Sequence, residues 1–229
     1  MGSAAMEATT ETAISKPLLR GWLHAGACVA ALASIPALIG ESGRDPAKLA
    51  AMVGFGLTMV LLYAVSAAYH IGDWGQNVKR LLAKLDYANI FLFIAASNTA
   101  LCVLALPSER YLPRLALIWL LGFAGIGCVV ALPCLRRRAR TGLYLLVGWA
   151  GALSTSILHL PLAPPALMMI SASGLAYLAG GAVYAWQRPN PLPQVFGFHE
   201  LFHLLTIVAN AGLAAAFWIW LLPSTSATV

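Results

Sequence analysis

Charge is what this sequence has least of. Only 10% of its 229 residues are charged, whereas a soluble globular domain carries about a quarter. Hydrophobic residues make up 60% of the chain, and the mean hydropathy is +0.80. So few charges cannot cover a water-facing surface of this size. The composition therefore excludes a soluble globular protein and predicts an integral membrane protein.

Paired cysteines and a nucleic-acid surface are also missing. The four cysteines are scattered, with no C-x-x-C pair, so a zinc–thiolate site is excluded and buried free thiols are expected; they are Cys28, Cys102, Cys128 and Cys134. The formal charge of +6 comes from basic residues in short loops, which suit anionic lipid headgroups. No nucleic-acid partner is expected.

Long apolar segments are what the chain does have. A membrane crossing takes about 20 apolar residues. Seven such segments are predicted, at about 21–39, 49–70, 85–106, 114–133, 142–160, 166–186 and 196–222. The connections are short and no repeat is visible, so residues 16–222 are predicted to form a single all-α, seven-transmembrane helix bundle. The small, polar segments 1–15 and 223–229 are predicted to be disordered tails.

The basic residues predict the orientation of this bundle. With the N-terminus in the cytoplasm, the inner segments hold ten of the 14 Lys and Arg residues. The outer segments hold the other four, Arg44, Lys48, Arg110 and Arg114. Because short cytoplasmic loops are enriched in Lys and Arg, we expect a cytoplasmic N-terminus and a C-terminus outside.

Three apolar segments carry ionisable residues that this topology brings to one membrane depth. His199 and His203 lie four residues apart at the start of the last segment, so on a helix both rings point the same way. His70 closes the second segment and Asp86 opens the third, both at the cytoplasmic end. Ionisable groups inside a membrane are costly and need a partner. A metal ion shared by these residues is the interpretation that we favour.

Three histidines are a common zinc set that leaves a fourth position open for water or substrate. His70, His199 and His203 are the candidate ligands. Asp86 would ligate the ion directly or take a proton from its water; the sequence does not separate these roles. Ser66 lies one turn from His70 on the same helical face and could orient the water or donate to an oxyanion.

Two further residues near this depth have open roles. His24 enters the first segment from the cytoplasmic side, and we interpret it as a packing or interfacial histidine, with a supporting part in the site as the alternative. Glu200 is turned about 100° from His199 on the helix. It is interpreted as a helix-start acid or as a residue that supports a ligand.

At these residues the chain resembles the haemolysin III family, part of the progestin and adiponectin receptor superfamily. The matching pieces are Arg20–His24, Ser66–His70, Asp86, Gly181–Tyr184, Arg188–Pro191 and Phe196–His203. The resemblance implies a seven-helix protein with zinc near the cytoplasmic face, held by His70, His199 and His203, with Asp86 and Ser66 beside it. A bacterial inner-membrane location is expected.

Three functions follow as hypotheses. Relatives in the receptor branch are associated with ceramide hydrolysis, so the first is a zinc-dependent hydrolase of a lipid amide or ester bond. A membrane lipid would then be the substrate or ligand. The second is a non-enzymatic, receptor-like or membrane-homeostasis protein in which zinc joins helices. The third is a pore, which the sequence favours least because the polar residues cluster at one depth instead of lining a full path.

Overall fold

The protein is a bundle of helices. A computed structural model describes residues 16–132, 134–154 and 162–224. Within these ranges there are seven long helices: α1 (Trp22–Gly40), α2 (Pro46–Ile71), α3 (Gln76–Ala105), α4 (Ser108–Ala131), α5 (Arg137–Ser154), α6 (Pro164–Trp186) and α7 (Phe198–Ala216). The last continues as a π-helical turn, Phe217–Leu221, and a short helical end, Leu222–Ser224. The described residues contain no strand, and one isolated β-bridge joins Leu192 to Phe196.

Six of these helices are long and apolar enough to cross a membrane; they are α1, α2, α3, α4, α6 and α7 extended to Leu221. The described part of α5 is not among them, because its first four residues include Arg137, Arg138 and Arg140. The all-helical membrane fold is confirmed. Residues 1–15 and 225–229, where most of the predicted tail sequence falls, lie outside the described ranges. So do residues 155–160 of the fifth predicted segment and residue 133 at the end of the fourth.

Several helices extend beyond their predicted segments at the polar end. α3 begins at Gln76 instead of near residue 85, and its first residues include Lys79, Arg80 and Lys84. Hydropathy detects only the apolar part of a helix, so an exposed polar extension is missed. α2 begins at Pro46 because the Asp45 carboxylate accepts hydrogen bonds from the backbone N–H groups of Ala47 and Lys48.

Helices adjacent in sequence pack side by side, and α7 returns to pack against α1. The largest core cluster lies among α1, α2, α3, α6 and the C-terminal part of α7; Met52, Phe55 and Phe217 in it are completely buried. The Phe55 ring lies 5.5 Å from that of Phe93 and 5.1 Å from that of Phe217. This apolar packing fixes α2 and α7 against each other at the ends opposite those that carry the histidines.

All four cysteines are free. Cys102 is buried and Cys28 and Cys128 are partly so, but Cys134 is exposed. The prediction of burial is therefore wrong for Cys134, which lies in the connection after α4 and not inside a helix.

Candidate metal centre

Three histidines meet between the end of α2 and the start of α7. A ring nitrogen from each of His70, His199 and His203 lies within 4.8 Å of the others. The Nε2 atoms of His70 and His199 are 3.1 Å apart. Their ring centroids are separated by 4.6 Å (His70–His199), 5.3 Å (His70–His203) and 4.4 Å (His199–His203). The structure thus brings together the three residues predicted from sequence.

The cluster has the dimensions of a metal-binding site. Metal–nitrogen bonds of 2.0–2.1 Å at tetrahedral angles place ligand nitrogens about 3.3 Å apart, close to the 3.1 Å between His70 and His199. His70 and His203 are buried and His199 is partly so. Three imidazoles that converge in a membrane interior need a common partner, and an ion among them would provide it.

Asp86 and Ser66 lie beside this cluster. Ser66, one turn before His70 on α2, is buried, and its side chain lies next to the carboxylate of Asp86 on α3. Asp86 is not in the close histidine cluster found among the described residues. Both side chains line the cavity that the histidines face. The carboxylate therefore faces the same cavity as the three histidines.

A glycine allows the start of α1 to reach the histidines. Gly21 precedes α1 with φ +86°, and a Cβ there would lie 2.9 Å from the Cβ of His70. Both the left-handed backbone and the contact require glycine. This close approach carries His24, one turn later, into the site: its ring stacks on His203 at 3.8 Å between centroids.

Glu200 anchors the first turn of α7. Its Oε2 accepts the backbone N–H of Gly197 at 2.9 Å, and its Oε1 pairs with Nε of Arg20. The Glu200 side chain is only 1% exposed. The interpretation of Glu200 as a helix-start acid is confirmed, and its salt bridge to Arg20 ties α7 to the segment before α1.

Two arginines at the site were missed from the sequence. The run Arg136–Arg140 is among the basic residues that the predicted topology places in the inner segments, but Arg140 is buried. Its guanidinium carbon lies 3.7 Å from the ring centroid of Tyr87, and its Nη2 donates to the hydroxyl of Tyr184 at 3.2 Å. Arg137 lies 5.1 Å over the Tyr184 ring. Spacing alone could not have separated them from the rest of the run, because Arg136 and Arg137 both lie one helical turn before Arg140.

A buried polar network also went unpredicted. Asn210 on α7 donates from Nδ2 to the Tyr63 hydroxyl at 2.7 Å, and the Tyr177 hydroxyl donates to its Oδ1. Asn210 is 1% exposed. The network joins α2, α6 and α7 just below the histidines, so it fixes the relative positions of two of the helices that carry them.

A cavity of about 790 Å³ connects these groups. His70, Asp86 and Arg140 lie at its polar end, and apolar side chains such as Phe93 and Phe217 line the rest. Its wall also includes Trp149 of α5 and Leu175 of α6, which are 44% and 64% exposed on the outside of the bundle. The cavity thus reaches towards the lipid-facing surface between α5 and α6.

A helical membrane bundle with a histidine cluster and a long, mainly apolar cavity defines a class: polytopic membrane proteins with an intramembrane polar site. The comparison with protein families is more specific. The model of the family described as haemolysin-III related matches residues 12–213. The chain belongs to the haemolysin III family, which is part of the progestin and adiponectin receptor superfamily.

A curated relative supports this assignment. The chain is 29% identical to Hemolysin-3 of Bacillus cereus over 204 residues, which cover 86% of this chain and 90% of that protein. No solved structure matches the chain significantly.

Proposed function

We propose that this protein is a zinc-dependent hydrolase that cleaves an amide or ester bond of a membrane lipid. The observation that carries the proposal is the convergence of His70, His199 and His203 at one end of a mainly apolar cavity. Three histidines with a carboxylate nearby suit a catalytic zinc, since closed structural sites usually take four protein ligands. Imidazole also accepts other transition metals, but three histidines in tetrahedral geometry favour zinc.

The surrounding residues have the chemistry that hydrolysis needs. Zinc, when bound, polarises a carbonyl group and lowers the pKa of its bound water to about 7. Asp86 takes a proton from the attacking water as its oxygen bonds to the carbonyl carbon. The C–N or C–O bond then breaks, and Asp86 returns the proton to the leaving amine or alcohol. The Ser66 hydroxyl, which lies next to Asp86, would orient that carboxylate.

The cavity favours a lipid over a water-soluble substrate. Its volume of about 790 Å³ is within the usual range for ligand sites, roughly 300–1,000 Å³. An acyl chain would fill the apolar part between Phe93 and Phe217, with the scissile bond at the histidines. Entry between α5 and α6, past Trp149 and Leu175, would spare the lipid a passage through water.

The proposed function also includes a membrane topology. We propose that residues 16–222 form one domain of seven membrane-spanning helices, with α5 as the fifth. The excess of Lys and Arg in alternate loops supports a cytoplasmic N-terminus. The histidine site would then lie at the cytoplasmic side of a membrane that we assign to the bacterial plasma membrane.

Metal content and lipid turnover test the proposal together. Purified wild-type protein should contain close to one zinc per chain, and His203→Ala should lose most of it. Leu204→Ala is the control: this neighbour is 39% exposed on the lipid side and should retain the metal. Zinc retained by His203→Ala would contradict the ligand set.

Turnover is read by mass spectrometry of membrane lipids incubated with each variant. Wild type should release a fatty acid and the matching amine or alcohol. Asp86→Ala should keep zinc and lose turnover by at least about 100-fold, the usual contribution of an acid–base group. Zinc without any lipid product from wild type would instead favour a receptor-like protein in which the metal joins α2 to α7.

A further inference from the structure

His24 is a buried histidine that the proposed chemistry does not use. It lies on α1 in the turn after Gly21, is 4% exposed, and lines the same cavity as the three candidate ligands. It is not a member of the histidine cluster found among the described residues. Burial of a polar ring is costly unless its nitrogens form hydrogen bonds, so the contacts of His24 need an explanation.

The contacts of His24 are made by the faces of its ring. One face stacks on His203 with centroids 3.8 Å apart and planes only 4° from parallel. The Tyr63 ring packs against it at 5.0 Å with a 48° tilt. Neither ring nitrogen has a hydrogen-bond partner among the described residues. The ring face, and not its nitrogens, is therefore what the surrounding protein contacts.

The parallel stack separates His24 from the ligand set. The lone pair of an imidazole nitrogen lies in the ring plane, so an ion in the plane of His203 is well out of the plane of His24. The two rings cannot both coordinate one ion with good geometry. Stacking instead prevents rotation of the His203 ring about its side-chain bonds, which keeps its nitrogen directed towards His70 and His199.

Tyr63 is itself fixed, which makes it a firm support for His24. Its hydroxyl accepts a hydrogen bond of 2.7 Å from Asn210, and Asn210 also accepts one from Tyr177. Asn210 lies on α7, two turns after His203. The order of contact thus runs from the Asn210 network through Tyr63 and His24 to His203.

We propose that His24 is a positioning residue for the metal centre: by stacking on His203, it orients that ligand without binding the ion itself. This inference rests on the proposed zinc site. Residues that orient metal ligands typically change metal affinity by 10–100-fold when they are lost. We expect that range for removal of the His24 ring.

The test measures zinc affinity and the visible spectrum of the Co²⁺-substituted protein. His24→Leu fills the volume without a flat ring, and His24→Ala removes it. Both should weaken zinc binding by about 10–100-fold and alter the Co²⁺ bands. His24→Phe restores a flat ring without nitrogens and should bind zinc within about threefold of wild type. Cys28→Ala, one turn along the same helix, should match wild type.

Each of the other outcomes contradicts a specific part of the proposal. Wild-type affinity in a monodisperse His24→Leu protein would show that the stack does not position His203. Weak binding by both His24→Phe and His24→Leu, with each folded, would show that a ring nitrogen ligates the ion. If wild type binds no zinc, the metal centre of the proposed function fails and this role fails with it. The two failures are distinguished by the wild-type measurement alone.

Discussion

The two ends of α2 and α7 differ in the interactions that stabilise them. Towards one end lies an apolar half, defined by Met52, Phe55, Phe93, Phe217 and Leu221. The other end is a site half, defined by the histidines, Asp86, Ser66 and their neighbours. In the apolar half any apolar side chain of about the right volume can fill the space. In the site half each buried polar group requires a particular partner, so stability there depends on specific pairs.

Removal of the metal should give the largest difference in behaviour between the site half and the apolar half. With zinc at about 1,000 times its dissociation constant, binding stabilises the folded state by about 4 kcal/mol. A chelator should therefore lower the melting temperature of the wild-type protein in detergent. The stabilisation originates in the site half, because the three candidate ligands His70, His199 and His203 all lie there.

His203→Ala is the control for this experiment. Having lost most of its zinc, it should melt at nearly the same temperature with and without chelator. An equal drop in wild type and in this variant would show that the chelator acts somewhere other than at the histidines.

A truncation in the apolar half should lower the stability of the protein without changing its zinc content. Phe55 is fully buried, and Phe55→Ala leaves a cavity beside Phe93 and Phe217. Loss of packing should cost about 2–4 kcal/mol in the free energy of unfolding, somewhat below the range for soluble cores because lipid is itself apolar. Denaturant unfolding measures this cost, and zinc per folded chain should not change.

Phe123→Ala provides the matched comparison, since Phe123 is 60% exposed on α4. Its cost should be below about 1 kcal/mol. Equal losses from the two variants would mean that packing around Phe55 contributes no more than a lipid-facing ring does.

The same contrast explains what could be predicted from sequence. Helix positions follow from hydropathy, which is an average over many residues and tolerates local errors. The spacing of His199 and His203, with His70 at the same depth, is a local pattern and was sufficient to predict the cluster. Neither hydropathy nor the spacing of the histidines depends on how neighbouring helices are rotated about their axes.

Helix rotation decides the features that were missed. Arg140 and Arg138 belong to one basic run, but Arg140 is buried under Tyr87 and Tyr184 whereas Arg138 is exposed. Likewise, the sequence gives no sign that Asn210 meets Tyr63. These contacts depend on which face of each helix turns inward, and polar residues within apolar segments are too few to determine that by pattern.

The Arg20–Glu200 pair tests whether the site half depends on specific partners. Arg20→Ala leaves the Glu200 carboxylate buried at 1% exposure without its cation. Breaking a fully buried pair costs 3–5 kcal/mol, and because Arg20 is partly exposed we expect about 2–3 kcal/mol. Adding Glu200→Gln should recover part of this loss, since glutamine still accepts the N–H of Gly197. Strictly additive effects in this double-mutant cycle would mean that the two residues do not interact.

Gly21→Ala should have the smallest effect on stability but a distinct one on the site. A left-handed backbone costs about 1–2 kcal/mol for an L-residue, and the new Cβ would press on His70 from 2.9 Å. Zinc affinity should fall as well, because His70 must shift. Gly26→Ala is the control on the same helix: nothing lies within 4 Å of its added Cβ, so it should stabilise the protein by up to about 1 kcal/mol. If Gly21→Ala changed stability without changing zinc affinity, the contact between the start of α1 and His70 would matter for packing alone, and the site half would be less sensitive to its neighbours than its polar pairs imply.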